Sequence, residues 1–360
     1  MLDSLGLTTL DKGHETREVA MANGKNPEGW IVGTAAGTGV RGCTGDGGPA
    51  TAASLNNPFD LAFAPDGDLI FSDTFNHRLC RINSRTGILT VVAGTGGRGF
   101  DGDGGPATAA KLNEPYGVVV DKHGTAYFAD RLNSRVRAVS PGGTISTLAG
   151  NGSGKYSGDG GPAAVSGLAE PNGLALDPDH THLYIADVAD HRVRVVDLRA
   201  GTIATFAGTG DAKHEGDGGP AAKAAIFGAR AVAFAPDGSL YVMERQGSCI
   251  RQIRNGIIQT VAGTGARGYD GDGGDAKIAV FAAPTEMAVA PNGDIFVVDT
   301  ENHAIRLIEA ATWIVRTIVG NGTADTARLA RPHGAVVGPD GKVYVGDSEN
   351  HRVRVLSRAA

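Results

Sequence analysis

Apolar residues along this chain come in short runs that alternate with polar positions, and the runs end at Gly, Asp, Asn or Pro. One stretch shows the scheme. Leu61-Ala62-Phe63 is followed by Pro65-Asp66-Gly67, Leu69-Ile70-Phe71, the polar segment Ser72–Arg78, Leu79-Cys80-Arg81-Ile82, a Thr86-Gly87 turn and Leu89-Thr90-Val91-Val92. Short runs of period two with turn residues between them predict four antiparallel strands joined by tight loops. The 3.6-residue period of a long helix is not found. Only the Ala-rich stretches leave room for a helical turn or two.

The scheme repeats. Gly45–Ala50 (Gly-Asp-Gly-Gly-Pro-Ala) recurs at 102–107, 158–163, 216–221 and, with Asp275 in the Pro position, 271–276. A second signature, Asp73-Thr74-Phe75-Asn76-His77-Arg78 in its first form, is marked later by Asp130, Asp187, Glu244, Asp299 and Asp347. These acids stand 57, 57, 57, 55 and 48 residues apart. A fixed period of this size signals a repeat architecture. Six units of four strands predict an all-β, six-bladed β-propeller of four-stranded antiparallel blades. The last unit lacks an outer strand, whereas Trp30–Gly39 is similar to the outer-strand segment Val91–Gly96. The N-terminal strand is therefore expected to complete the last blade and close the ring, which removes an open edge. The expected organisation is an N-terminal arm at 1–29 and a single propeller domain at 30–360.

Strand, Pro-Asp-Gly turn, strand, Asp-x-x-Asn-His-Arg, strand, repeated six times over residues 30–356, resembles the NHL-repeat family. The resemblance implies a six-bladed propeller and a wide range of uses: interaction modules, sensors and enzymes. The enzymes include a peptide-amidating lyase and the architecturally related strictosidine synthase-like and gluconolactonase-like groups. Such a fold does not by itself decide function.

Composition narrows the field. Of 360 residues 55 are Gly, about twice the usual share, and 41% are apolar, enough for a sizeable core. The formal charge of -6, from 33 basic and 39 acidic residues without basic runs, argues against nucleic acid as a partner. No apolar stretch reaches the roughly 18 residues of a membrane span. Cys43, Cys80 and Cys249 are odd in number and far apart, so neither a disulfide framework nor a metal-spaced Cys pair is expected. The first 29 residues carry acids and lack an apolar signal core, which leads to a cytoplasmic expectation.

A residue present in every unit builds the unit; chemistry needs asymmetry. On this ground Asp46, Asp103, Asp159, Asp217 and Asp272 are expected to cap their own Gly-rich loops. The signature acids, with His77, His191, His303 and His351, are expected to satisfy buried turn backbone. They should also hold the next strand's Arg78, Arg135, Arg192 or Arg352. Cys80 is expected in the core, and Cys249 stands where the signature has Arg.

The units disagree where each innermost strand begins. The pairs there are Phe59-Asp60, Tyr116-Gly117, Asn172-Gly173, Arg230-Ala231, Thr285-Glu286 and His333-Gly334. The resemblance to the NHL-repeat family implies Gly at the second position, kept here in units two, three and six, so Asp60 and Glu286 are acidic departures. Around one channel these side chains converge on its mouth. Glu286, His333 and Asp60 are the catalytic candidates, because a carboxylate in a partly dry channel has a raised pKa suited to acid–base work. Arg230, Tyr116, Asn172, Phe59, Thr285 and, from the fourth signature, Arg245 are the substrate-binding candidates, with Arg230 suited to a substrate carboxylate.

Three uses follow. The leading expectation is a small-molecule enzyme with Glu286 as principal base and neither metal nor cofactor. The resemblance to strictosidine synthase-like propellers implies an amine–carbonyl condensation and cyclisation in secondary metabolism. The second is a metal-dependent lactonase or lyase holding its ion with Glu286, Asn172 and Asp60, as the resemblance to gluconolactonases implies. The third is a non-catalytic NHL binding scaffold. The peptide-amidating chemistry needs several central histidines, and only His333 is found.

Overall fold

The computed structural model describes residues 29–324 and 328–359. The expected arm, up to residue 28, lies outside the described residues. The rest forms six four-stranded antiparallel sheets arranged as the blades of a propeller. Blade one consists of Pro58–Phe63, Leu69–Asp73, Arg78–Ile82 and Leu89–Ala93, running from the axis outward. In blade six Pro332–Val337, Val343–Asp347 and Arg352–Arg358 are completed by Trp30–Ala36, with Trp30 opposite Arg358. The N-terminal strand thus closes the ring. No α-helix is found among the described residues, and the Ala-rich stretches form single 3-10 turns such as Ala107–Ala109.

Apolar faces of adjacent blades meet, so the core is a series of wedges between blades. Between blades one and two, for example, Ile70 and Leu79 pack with Phe128, Leu112 and Ile145. The signature acid closes the top of each wedge. Asp73 accepts from the Asn56 backbone N–H at 2.7 Å and from Asn76 Nδ2 at 2.7 Å, and Asp299 repeats this with Ala282 and Asn302. The signature histidines bind blade to blade: Nδ1 of His77 accepts from the Glu114 N–H at 3.1 Å, and Nδ1 of His303 from that of Arg331 at 2.9 Å.

The arginine that the signature acid holds is not the expected one in most blades. In blade one it is Arg78, at 2.9 Å from Asp73. In blades two, five and six it is the residue two places further: Arg137, Arg306 and Arg354, the first two fully buried. Arg135, Arg192 and Arg352 instead bond to loop carbonyls nearer the surface. Residues i and i+2 share a face of a strand, and the deeper one is the one within reach of the buried acid. Blade one has Cys80 at the deeper place, so Arg78 takes over.

The Gly-rich loops also differ from expectation. Their aspartates do not cap their own backbone; they receive the same buried arginines. Arg137 meets Asp103 at 2.7 Å, Arg194 meets Asp159 at 2.6 Å, Arg251 meets Asp217 at 2.6 Å and Arg306 meets Asp272 at 2.8 Å. Each loop therefore crosses from one blade to the next and is pinned there by a guanidinium that cannot reach water.

Removing one carboxylate from a buried pair leaves an uncompensated charge at a cost of about 3–5 kcal/mol. Asp299→Ala should lower the stability of the chain by about that amount in urea unfolding. A loss below about 1 kcal/mol, the range of surface pairs, would show that these arginines do not hold the blades.

Candidate functional site

The innermost strands surround the axis so closely that side chains at their entry are constrained by the neighbouring blade's backbone. A Cβ on Gly117 would stand 2.2 Å from the Asn172 carbonyl oxygen, and one on Gly334 would stand 2.2 Å from that of Phe59. Glycine there is a packing requirement. Asp60, Ala231 and Glu286 are the positions where the ring has room for more.

Phe59, Asp60, Tyr116, Asn172, Arg230, Glu286 and His333 all line one constriction of the channel. It separates two chambers. The upper one, about 330 Å³, is lined by Phe59, Tyr116, Asn172, Arg230, Thr285 and His333, with Arg245 at its rim. The lower one, about 400 Å³, has mostly Val, Leu, Ala and Phe walls and is topped by Asp60 and Glu286. The nine candidates thus meet around one axis, but the two carboxyl groups stand on the other side of the narrowing from most of the rest.

Aromatic packing holds the upper side. The His333 ring stacks on Phe59 at 3.9 Å with 5° between planes, and Tyr116 lies 4.6 Å from Phe59. His333 Nδ1 lies 2.9 Å from the Arg331 carbonyl and 3.0 Å from Ser348 Oγ, whose own hydroxyl donates to the Pro58 carbonyl. A carbonyl only accepts, so the His333 proton sits on Nδ1 and Nε2 carries the lone pair. Burial, with Arg230 and Arg331 nearby, pushes the imidazole pKa well below its usual value. At neutral pH His333 is an uncharged base.

Arg230 is 7% exposed. Nη1 donates to Asn172 Oδ1 at 2.5 Å and the guanidinium lies 5.0 Å from the Tyr116 ring centre. Among the described residues no carboxylate forms an ion pair with it. Buried cations are ordinarily paired, and this one faces a cavity. Burial also raises the Tyr116 phenol, which therefore keeps its proton and can donate. Thr285 serves the frame: its hydroxyl bonds to Thr300 Oγ1 and donates to the His333 carbonyl at 2.9 Å. Arg245 is half-buried, its Nη2 4.0 Å from Glu301 Oε1.

The carboxyl pair has a divided titration. Burial raises Asp60 to about 6, against backbone N–H groups of Val118 and Leu61 and the charge of Arg230. Burial and then the charge of Asp60 raise Glu286 well above its usual value. Like charges held close ionise one at a time. Of the two, Asp60 ionises first and Glu286 holds its proton to higher pH.

A divalent ion on Glu286, Asn172 and Asp60 is a poor fit to this arrangement. Asn172 Oδ1 is taken by the Arg230 guanidinium, so an ion there would stand against a fixed positive charge.

Residues beyond those expected also shape the upper chamber. Arg131, 4.7 Å from the Tyr116 ring, pairs with Glu114 and Glu170 at 2.7 Å each, and Arg331 pairs with Glu301 and Glu349. The signal was available: directly after the signature acid stand Thr74, Thr300 and Ser348 in three units, but Arg131, Val188 and Arg245 in the others.

Comparison with known proteins agrees with this architecture. The NHL repeat model matches residues 281–306 and 329–356, and the Teneurin NHL domain model matches 89–157. The chain is an NHL-repeat propeller. It is 30% identical over 270 residues, 71% of its length, to the protein SUPPRESSOR OF QUENCHING 1, chloroplastic, of Arabidopsis thaliana. It is 32% identical over 283 residues, 67% of its length, to mouse Teneurin-4. The chain spans 25% of the first and 10% of the second. Two solved structures share the fold alone. An auxiliary nutrient binding protein from Bacteroides thetaiotaomicron has a TM-score of 0.67 at 17% identity, with 91% of this chain and 76% of that one covered. A gluconolactonase from Xanthomonas campestris has 0.59 at 14% identity, with 94% and 92% covered. No helix among the described residues is long and apolar enough to cross a membrane.

Asp60, near 3.8 in an unfolded chain and about 6 here, contributes stability below about pH 4 that is lost as pH rises through 6. Asp60→Asn should therefore gain stability relative to the parent at pH 8 but not at pH 4. The gain is up to about 3 kcal/mol, read from urea unfolding at both pH values. A difference that does not change with pH would mean that Asp60 is not held in a dry channel.

Proposed function

We propose that the chain is a small-molecule enzyme that binds an anionic substrate on Arg230 and moves protons between His333 and the Glu286–Asp60 pair. The observation that carries this reading is the buried, cavity-facing guanidinium of Arg230 without a carboxylate partner, next to a base and an acid of opposite protonation. A substrate carboxylate would supply the missing charge in a charge-assisted bond. With its anionic group on Arg230 and Tyr116, the substrate would lie against the Phe59–His333 stack. His333 Nε2 would take a proton from it, and Glu286 would return one at the constriction, where Asp60 as an anion balances the site.

Proton removal at one atom and delivery at another serves condensation with ring closure, as in strictosidine synthase-like propellers, and it serves eliminations equally. The fold neighbour named as a gluconolactonase supports an enzymatic use of such a propeller as a class. The neighbour named as a nutrient binding protein favours binding without chemistry, and the two readings part in one experiment.

A panel of small carboxylates should be screened by thermal shift and the hits followed by NMR for conversion. Arg230→Gln should weaken binding of a hit by more than about tenfold, the worth of a charge-assisted bond. Glu286→Gln and His333→Gln should still bind, yet convert about 10²–10⁴-fold more slowly. Binding without conversion in the parent chain would overturn the enzyme and leave the scaffold. Binding unchanged in Arg230→Gln would overturn both.

A further inference from the structure

Blade four departs from its siblings at four places that meet in space. In blades two, three and five an aromatic ring covers the buried arginine: Phe100 over Arg137 at 4.8 Å, Tyr156 over Arg194 at 4.7 Å, Tyr269 over Arg306 at 5.1 Å. His214 holds that place in blade four. The signature acid is lengthened to Glu244, its Asn becomes Gly247 and its Arg becomes Cys249.

The four changes fit one another. Glu244 Oε1 remains with Arg251 at 3.1 Å, as the scaffold requires. Its Oε2 accepts from the Phe227 N–H at 3.1 Å and lies 2.8 Å from His214 Nδ1. A Cβ on Gly247 would stand 2.5 Å from that oxygen, so the longer acid needs the glycine. Cys249 Sγ, buried, lies 3.5 Å from the same Nδ1. On the far side of the ring Nε2 meets Thr260 Oγ1 at 3.1 Å. The three donor atoms lie within 4.8 Å of one another.

A nucleophile relay would place thiol and carboxylate on opposite ring nitrogens. Here both face Nδ1. Without an ion the Glu244 carboxylate, which only accepts, takes the Nδ1 proton, and that bond raises the imidazole pKa; a cation set among the nitrogen, the oxygen and the sulfur would replace this proton and that of the thiol. We propose that His214 Nδ1, Glu244 Oε2 and Cys249 Sγ bind a zinc ion. One imidazole, one carboxylate and one thiolate make a donor set suited to Zn²⁺ rather than to Mg²⁺ or Ca²⁺. The bond from Nε2 to Thr260 is the kind that orients a ligating histidine. The His214 side chain, 35% exposed, gives the ion its way in and leaves a fourth position to water. Neither the channel constriction nor either chamber is lined by these residues, so the ion would fasten the 208–217 loop to blade four and stand apart from the proposed catalysis.

Cobalt(II) reports on such a site, because a thiolate bound to it gives a near-ultraviolet charge-transfer band. The full chain, stripped with a chelator, should take up one Co²⁺ with that band and release protons, and Zn²⁺ should displace it. Cys249→Ser should abolish the band. His214→Phe restores the residue type of blade two, so it should fold as the parent does by circular dichroism while losing about 100-fold or more in affinity; Thr260→Val should lose roughly 10–100-fold. A parent chain that shows no thiolate band, or His214→Phe and Cys249→Ser chains that bind as the parent does, would overturn the site.

Discussion

Buried guanidinium groups answered by carboxylates hold this molecule together. Arg137, Arg251 and Arg306 are sealed from water, each joining a loop aspartate to the acid of its own blade. Each pair costs desolvation and returns geometry, because the cation can stay buried only where both acids reach it. The Gly-rich loops therefore have one place to lie, and the blades one spacing. Against that background Arg230 is the exception: 7% exposed and facing the channel, it is held by an amide and a ring face, while the carboxyl groups of Glu286 and Asp60 act on it without an ion pair. This is the place that the proposed substrate anion would take.

The axis carries a second asymmetry. The aromatic and cationic groups open upward, while the two carboxyl groups top an apolar chamber below. Burial above apolar lower walls makes ionisation costly, so the pair shares its burden unequally and Glu286 holds its proton the more tightly. The neutral imidazole above arises in the same way, from burial beside positive groups. The protonation of these groups is thus set by their surroundings, not by residue type.

Much of this was legible in the sequence. Period-two runs and Gly, Asp and Pro turns repeat six times, and a spare first strand that completes the last unit points to a closed ring of blades. Comparison of equivalent positions found the ring at the axis for a physical reason: wherever backbone crowding demands glycine, any larger residue must be there for something else. Which arginine each acid would hold was not legible. Arg135 and Arg137 share a strand face, and only depth, which a linear pattern does not carry, separates them. The loop aspartates Asp103, Asp159, Asp217 and Asp272 escaped on the same account, since their partners lie 34 or 35 residues away in sequence. His214 passed unnoticed because its neighbours Glu244 and Cys249 are brought to it by blade pairing, not by local spacing. Glu286 was recognised as special, but its preferred role follows from the dry chamber beneath it.

Closure by Trp30–Ala36 has a consequence for how the molecule is made. Within the propeller this strand precedes all the others in sequence, and its partner, Arg352–Arg358, follows all the others. Until the last blade is made its hydrogen-bonding edge lacks this partner, and the contact that completes the circle spans the whole propeller. Such remote pairing is slow. The nascent propeller therefore spends its longest interval as an open arc with two sticky ends, and crowding by a second arc, rather than failure of any single blade, is its main route to misassembly.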